Sequence, residues 1–260
     1  MEVLIFDKNE SASLYAAKIF AKRIREKPEA VIGLATGSTP GLLYAELRQQ
    51  HEEKGLDFSG ITSFNLDEYV GLDSDHPSSY RYFMQQALFD HVNIKSDRVH
   101  LPNGMSDDVP STCVDYEKSI SAAGGIDLQV LGLGSDGHIG FNEPSSSLAS
   151  RTRIKTLTQE TREDNAHFFN SADEVPRHCI TMGIGTIMEA RKIVLLAFGK
   201  QKAAAVQQVV EGAMSAMWPA TILQMHPSVV VLLDEAAAAS LEQIDYYREV
   251  AEHKPGWQRI

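Results

Sequence analysis

The sequence predicts an α/β fold, an open and mainly parallel sheet of Rossmann-like topology with helices on both faces, formed by residues 1–260 as a single domain. Two observations carry this expectation. Short apolar runs at 30–35, 61–66, 126–133, 192–198 and 229–233 alternate with helix-like stretches at 12–26, 41–50, 78–90, 202–211 and 236–252. Such alternation builds right-handed strand-helix-strand crossovers and hence a parallel sheet. Four of the five runs also end in glycine, hydroxyl or charged residues, and an open parallel sheet places its ligand beyond the carboxyl ends of its strands. There is no repeat, low-complexity linker or shift in composition to mark a second domain, although Pro102-Asn103-Gly104 is a turn signal.

Composition narrows the possible partners. With 43% hydrophobic and 23% charged residues, a chain of 260 suits a globular fold rather than a disordered one. The net charge of -11 opposes nucleic acid and anionic membrane as partners, because the whole-chain field repels phosphate backbones. The first residues, Met1 to Lys8, carry charges where a leader needs an apolar region, and no stretch of about 18 apolar residues occurs, so a cytoplasmic location is expected. Cys113 and Cys179 belong to no CxxC or Cys/His cluster and are expected to be reduced and structural.

The strand exits carry the candidate chemistry. After the first run, Thr36-Gly37-Ser38-Thr39-Pro40-Gly41 leads into a helix, so backbone N–H groups, hydroxyls and a helix amino terminus can hold a phosphate, with a plain helix cap as the alternative. After the second come Asp67 and Glu68, whose side chains must point to opposite faces of an extended chain, so only one can face a shared site. A carboxylate partly removed from water there has a raised pKa and suits a base toward a carbon-bound proton. After the third, Gly134 to Pro144 brings Asp136, His138 and Glu143 into one turn, a set suited to acid-base work and, less well, to a metal, since no second His stands at helical spacing. After the fourth, Lys200 and Lys202 begin a helix, where the macrodipole opposes cations unless an anion is bound. Asp234-Glu235, after the last, is an ordinary helix start.

The segments Leu34 to Pro40, Asn65 to Leu72, His76 to Tyr80 and Leu131 to Pro144, taken together and in order, resemble the glucosamine-6-phosphate deaminase (isomerase) family over nearly the whole chain. The resemblance implies conversion of glucosamine 6-phosphate and water to fructose 6-phosphate and ammonia, without metal or organic cofactor, in a fold with a mobile lid segment. It assigns ring opening to His138, assisted by Asp136 and Glu143, and transfer of the C2 proton to C1 to Asp67. It assigns substrate phosphate binding to Ser38, Thr39, Lys202 and the position of His167. That last residue departs from the family, which has an arginine there. Histidine lacks its planar fork and permanent charge, and nearby Arg162 is a possible substitute.

The stretch Ser145 to Thr156 reads either as a solvated basic strand or as a second phosphate site. The resemblance matches Ser146, Arg153, Lys155 and Thr156 to the allosteric site of the hexameric members, where N-acetylglucosamine 6-phosphate activates. Tyr246, with Tyr247 as the alternative, matches a tyrosine contributed by the carboxyl-terminal tail, so a homohexamer is implied. Two other functions remain open. The 6-phosphogluconolactonases share a Gly-x-Asp-Gly-His loop but not Phe141-Asn142-Glu143-Pro144 or Asp67-Glu68-Tyr69, and a noncatalytic sugar-phosphate sensor would not need the full acid-base set.

Overall fold

A computed structural model describes residues 1–166, 169 and 171–258. In chain order the strands are β1 (Glu2–Phe6), β2 (Val31–Leu34), β3 (Thr62–Asn65), β4 (Asp67–Tyr69), β5 (Val99–His100), β6 (Leu128–Gly132), β7 (Arg153–Thr156), β8 (His178–Thr181), β9 (Ile193–Ala197) and β10 (Val229–Asp234). The helices are α1 (Asn9–Glu26), α2 (Gly41–Lys54), α3 (Tyr80–Ala87), α4 (Val109–Ala122), α5 (Gln159–Asn165), α6 (Ile184–Met188), α7 (Ala203–Glu211), α8 (Glu235–Ala238) and α9 (Ile244–Glu252).

Seven strands form a parallel sheet in the order β1-β10-β9-β6-β2-β3-β5, with helices on both faces. The expected fold class is therefore the observed one. Every residue of β2 and β9 is buried, as is nearly all of β6 and β10, which is why these strands, apart from the buried Gln129 of β6, are near-continuous apolar runs instead of alternating ones. In α1, Ala12, Ala16, Phe20 and Ile24 recur at helical spacing and form the face that is buried in the core. The chain runs outward from β2 through β3 to β5, then crosses back to β6 and proceeds through β9 to β10. The direction reverses between β2 and β6, and that crevice is where an open sheet receives a ligand.

Several elements depart from expectation. Residues 2–6, absent from the expected strands, form an edge strand paired with β10. The helix expected over 236–252 is two helices, because the Glu211 carboxylate accepts the Glu242 and Gln243 N–H groups, both at 2.9 Å, and restarts the helix at Ile244. The stretch 78–90 is shorter than expected. Ser79 caps it by accepting the Tyr82 N–H, and the helix ends at Ala87. A second sheet, β4-β8-β7, is antiparallel and covers a smaller cluster of Tyr69, Tyr80, Phe141, Leu157, Val175 and Cys179. The sequence did not announce β4, β5, β8 or α4 as separate elements, since they are short or follow no apolar run. Cys113 and Cys179 are both buried and unbridged. Among the described residues no helix is long and apolar enough to cross a membrane.

Candidate active site

The four chemically equipped exits belong to neighbouring strands β3, β2, β6 and β9. At the β2 exit the chain turns through Gly37 into α2, whose amino terminus has Pro40 at its cap position and no side chain capping it. An uncapped helix start of this kind offers its N–H groups to an anion. Thr39 lies over the end of β6, where a Cβ on Gly132 would meet the Thr39 side chain at 3.9 Å. The Ser38-Thr39 loop thus borders the loop that carries His138.

Asp67 and Glu68 point to opposite sides, as alternation requires. Glu68 turns away from the crevice, accepting the Tyr69, Tyr80 and Arg81 backbone N–H groups at 2.9 Å each, and so secures the start of α3. Asp67 faces the crevice and is only 5% exposed. Burial pushes its carboxyl up to about 8, the neighbouring Glu68 charge adds to the rise, and a hydrogen bond from the Thr36 side chain partly opposes it. Asp67 also meets the His138 loop: a Cβ on Gly140 would stand 3.3 Å from Asp67 Oδ2 and 2.9 Å from Thr181 Oγ1. With φ of +55 as well, this position requires glycine for both conformation and space.

His138 folds back over its own loop, so that a Cβ on Gly134 would overlap the imidazole ring. Its Nδ1 lies 2.6 Å from Asp136 Oδ1, which also accepts the His138 backbone N–H at 3.1 Å. The Nδ1 contact has an ion-pair distance but is poorly aligned as a hydrogen bond. Partial burial raises the Asp136 pKa, but the His138 ring and backbone outweigh this and hold it below the usual carboxylate value. An ionised Asp136 keeps the imidazole proton on Nδ1 and leaves Nε2 as the acceptor.

Glu143 does not join this pair. Its Oε1 accepts from Thr158 N at 3.2 Å, Thr158 Oγ1 at 3.1 Å and Thr161 Oγ1 at 2.5 Å, tying the loop to the start of α5. The expected three-member cluster is thus an Asp136–His138 pair with a carboxylate anchored elsewhere. The cause is tertiary, because the Thr158 cap and first turn of α5 supply three donors that a buried carboxylate needs. Glu143→Ala is expected to strand those donors, destabilise the fold by about 1–3 kcal/mol and speed hydrogen exchange in α5, as measured by melting and exchange mass spectrometry. Unchanged exchange in residues 158–165 would contradict the tie.

Lys202 ends a 3-10 turn after β9 and occupies the cap position of α7, whose start is not capped by its side chain. His167 lies outside the described residues. Arg162, the possible substitute, is engaged by protein groups. Its guanidinium is buried and donates to Val175 O at 3.0 Å, Gln159 Oε1 at 3.1 Å and Asp173 O at 3.4 Å, holding the 173–175 segment.

Of the residues matched to the allosteric site, Arg153 and Lys155 share one side of β7, and Thr156 is exposed at its end. Arg153 donates to Asn142 Oδ1 at 2.8 Å, and Asn142 in turn donates to the Ile139 and Met182 carbonyls. Ser146 is buried with its hydroxyl unpartnered among the described residues. Tyr246 stands apart, exposed on α9 beside β1, while Tyr247 donates to Glu211. Sequence reasoning missed Thr36 as a partner of Asp67, Asn142 as the link to β7, and Thr181 beneath Gly140. Thr36 was legible only as part of a phosphate loop, and Thr181 carries no signal outside the tertiary structure.

The sheet order, the crevice at its reversal and acid-base groups at adjacent exits define an α/β protein built to handle a small polar ligand. The chain belongs to the family of glucosamine-6-phosphate isomerases and 6-phosphogluconolactonases, which it matches over residues 8–232. A glucosamine-6-phosphate deaminase of Arthrobacter sp. (strain FB24) is 54% identical over 260 residues, covering 100% of both chains. A solved structure described as a monomeric glucosamine-6-phosphate deaminase superposes with a TM-score of 0.91 at 46% identity, covering 92% of this chain and 100% of the other. The 6-phosphogluconolactonase from Trypanosoma cruzi shares the fold, with a TM-score of 0.74 at 22% identity over 93% of this chain and 97% of the other.

Proposed function

We propose that the protein converts glucosamine 6-phosphate and water to fructose 6-phosphate and ammonia, acting as a single domain in the cytoplasm. The observation that carries this is Asp67: a buried carboxyl with its pKa at about 8, against the Gly140 backbone of the loop that holds the Asp136–His138 pair. An aldose-ketose isomerisation needs one base near two adjacent carbons and a separate acid-base group near the ring oxygen. His138 opens the pyranose by moving a proton between the ring oxygen and O1. Asp67 then takes the C2 proton and returns it to C1, passing through an enolamine to a fructose imine, and water displaces ammonia from C2. A lactonase needs no base for a carbon-bound proton, and the lactonase likeness, at 22% identity, extends to the fold alone.

Incubation with glucosamine 6-phosphate, following ammonia and fructose 6-phosphate, tests the proposal. Hydrolysis of 6-phosphogluconolactone without ammonia release would overturn it. The phosphate is held by the Ser38-Thr39 loop at the start of α2 and by Lys202 at the start of α7, so Lys202→Ala is expected to raise KM for substrate about tenfold or more with a smaller change in kcat. An unchanged KM removes Lys202 from the site.

Regulation is a separate part of the proposal: N-acetylglucosamine 6-phosphate bound by Ser146, Arg153, Lys155, Thr156 and Tyr246 in a homohexamer. The buried Ser146 hydroxyl, unpartnered among the described residues, and the two cations on one side of β7 support it. The 46% identical deaminase is described as monomeric, which weighs against the hexamer. Sedimentation decides that point, since a species of 28.7 kDa is a single chain. Assays with the activator decide the other, and a rate unaffected by it leaves these residues without a regulatory role.

A further inference from the structure

A cavity of about 270 Å³ opens at the amino-terminal end of the main sheet, the end opposite the catalytic crevice. It is bordered by the starts of β1, β6 and β10, by the last turns of α1 and by the tail beyond α9. Four cationic side chains converge on it, Lys22, Arg23, Lys192 and Lys254, against Glu2 and Glu26. The lining thus carries a local excess of positive charge in a chain whose net charge is -11.

Ordinary structural roles explain three of the four. Lys22 and Arg23 lie near the carboxyl end of α1, where the helix dipole favours cations, and Lys254 forms an ion pair with Glu2. Lys192 has no such explanation. It is half-buried just before β9, and among the described residues its Nζ makes no hydrogen bond or ion pair. Its pKa is lowered first by burial. The Glu2 charge opposes this, and Lys254, Arg23 and Lys22 lower it further. An ammonium in that position lacks an acceptor, and the nearby Glu2 carboxylate is already engaged by Lys254. Tyr15 also lines the cavity, and burial raises its hydroxyl pKa above the ordinary value, so it stays protonated and able to donate.

We propose that this cavity binds the phosphate group of a small anion, with Lys192 as the central ligand and Lys22, Arg23 and Lys254 around it. The chemistry fits because a phosphate dianion accepts several charge-assisted hydrogen bonds at once and relieves the repulsion among the clustered cations. The site is independent of the catalytic crevice. Because Lys254 comes from the tail and Lys22 from α1, the ligand joins the two and should order the tail.

Hydrogen exchange of the full-length protein tests this, titrated with inorganic phosphate, with glucose 6-phosphate, and with sodium chloride at matched ionic strength. Phosphate is expected to slow exchange in residues 18–26 and 251–258, and chloride is not. Lys192→Met should weaken that response about tenfold or more, the scale of one lost charge-assisted contact. Lys192→Arg and Lys202→Ala should retain it, the latter because it touches only the proposed substrate site. A lower midpoint for glucose 6-phosphate identifies a phosphate ester as the ligand, and equal midpoints identify free phosphate. No protection in the unsubstituted protein, equal protection by chloride, or an unchanged response in Lys192→Met would overturn the proposal.

Discussion

Asp67→Asn is expected to reduce turnover of glucosamine 6-phosphate by about 10²–10⁴-fold, the scale of a lost general base, and to abolish exchange of the C2 proton with solvent. Ring opening should persist, because His138 and Asp136 belong to a different strand exit; enzyme-catalysed interconversion of the substrate anomers, followed by NMR, reports it. Exchange retained in the variant would remove Asp67 as the base. The pH profile gives a second reading of the same group. Asp67 acts only as the carboxylate, so with its pKa at about 8 the free enzyme's kcat/KM should rise with pH and level off above that value.

Stability should move the other way. The folded protein holds a proton on Asp67 that the unfolded chain, with an ordinary value near ~4, releases. The protonated carboxyl's contribution is therefore complete below about 4 and is lost as pH rises toward 8. Asp67→Asn, which keeps the shape without the buried charge, should melt higher than the unsubstituted protein at pH 9 and show a smaller difference at pH 5. The same melting difference at both values would mean that the carboxyl's charge is not what the fold bears. A base held out of water thus costs stability where it is most active.

His138→Gln should lower kcat/KM on the cyclic substrate by about 10²–10⁴-fold while leaving the rise near pH 8 in place, since that limb belongs to Asp67. Ammonia release and C2 exchange should fall together, because both wait on the open chain. The imidazole is oriented by the 2.6 Å contact from Nδ1 to Asp136, and glutamine has no titratable nitrogen to move a proton to or from the sugar. A near-normal rate in a variant whose melting is unchanged would put ring opening elsewhere.

The sequence determined the sheet and the exits that carry the chemistry. Strands buried on both faces favour apolar runs, so β2, β9 and β10 were legible from residue type alone and β6 nearly so, while β3, with Ser63 and Asn65 buried inside it, was marked mainly by its place between Ile61 and Leu66; Asp67, His138 and Lys202 at the carboxyl ends followed. Alternation along the chain by itself separates Asp67 from Glu68.

Only the tertiary structure decided what each group touches. A hydrogen bond between distant segments leaves no periodic trace: Glu143 turned to Thr158 and Thr161 rather than to His138, Arg162 to the carbonyls of 173–175, and Glu211 broke one expected helix into α8 and α9. The raised pKa of Asp67 depends on burial and on Glu68 and Thr36 together, and the cations at the opposite end of the sheet come from positions 22, 23, 192 and 254. Local patterning specifies elements because it acts over a few residues. Charge, desolvation and hydrogen bonding act through space, and the pairs they join are chosen by the fold.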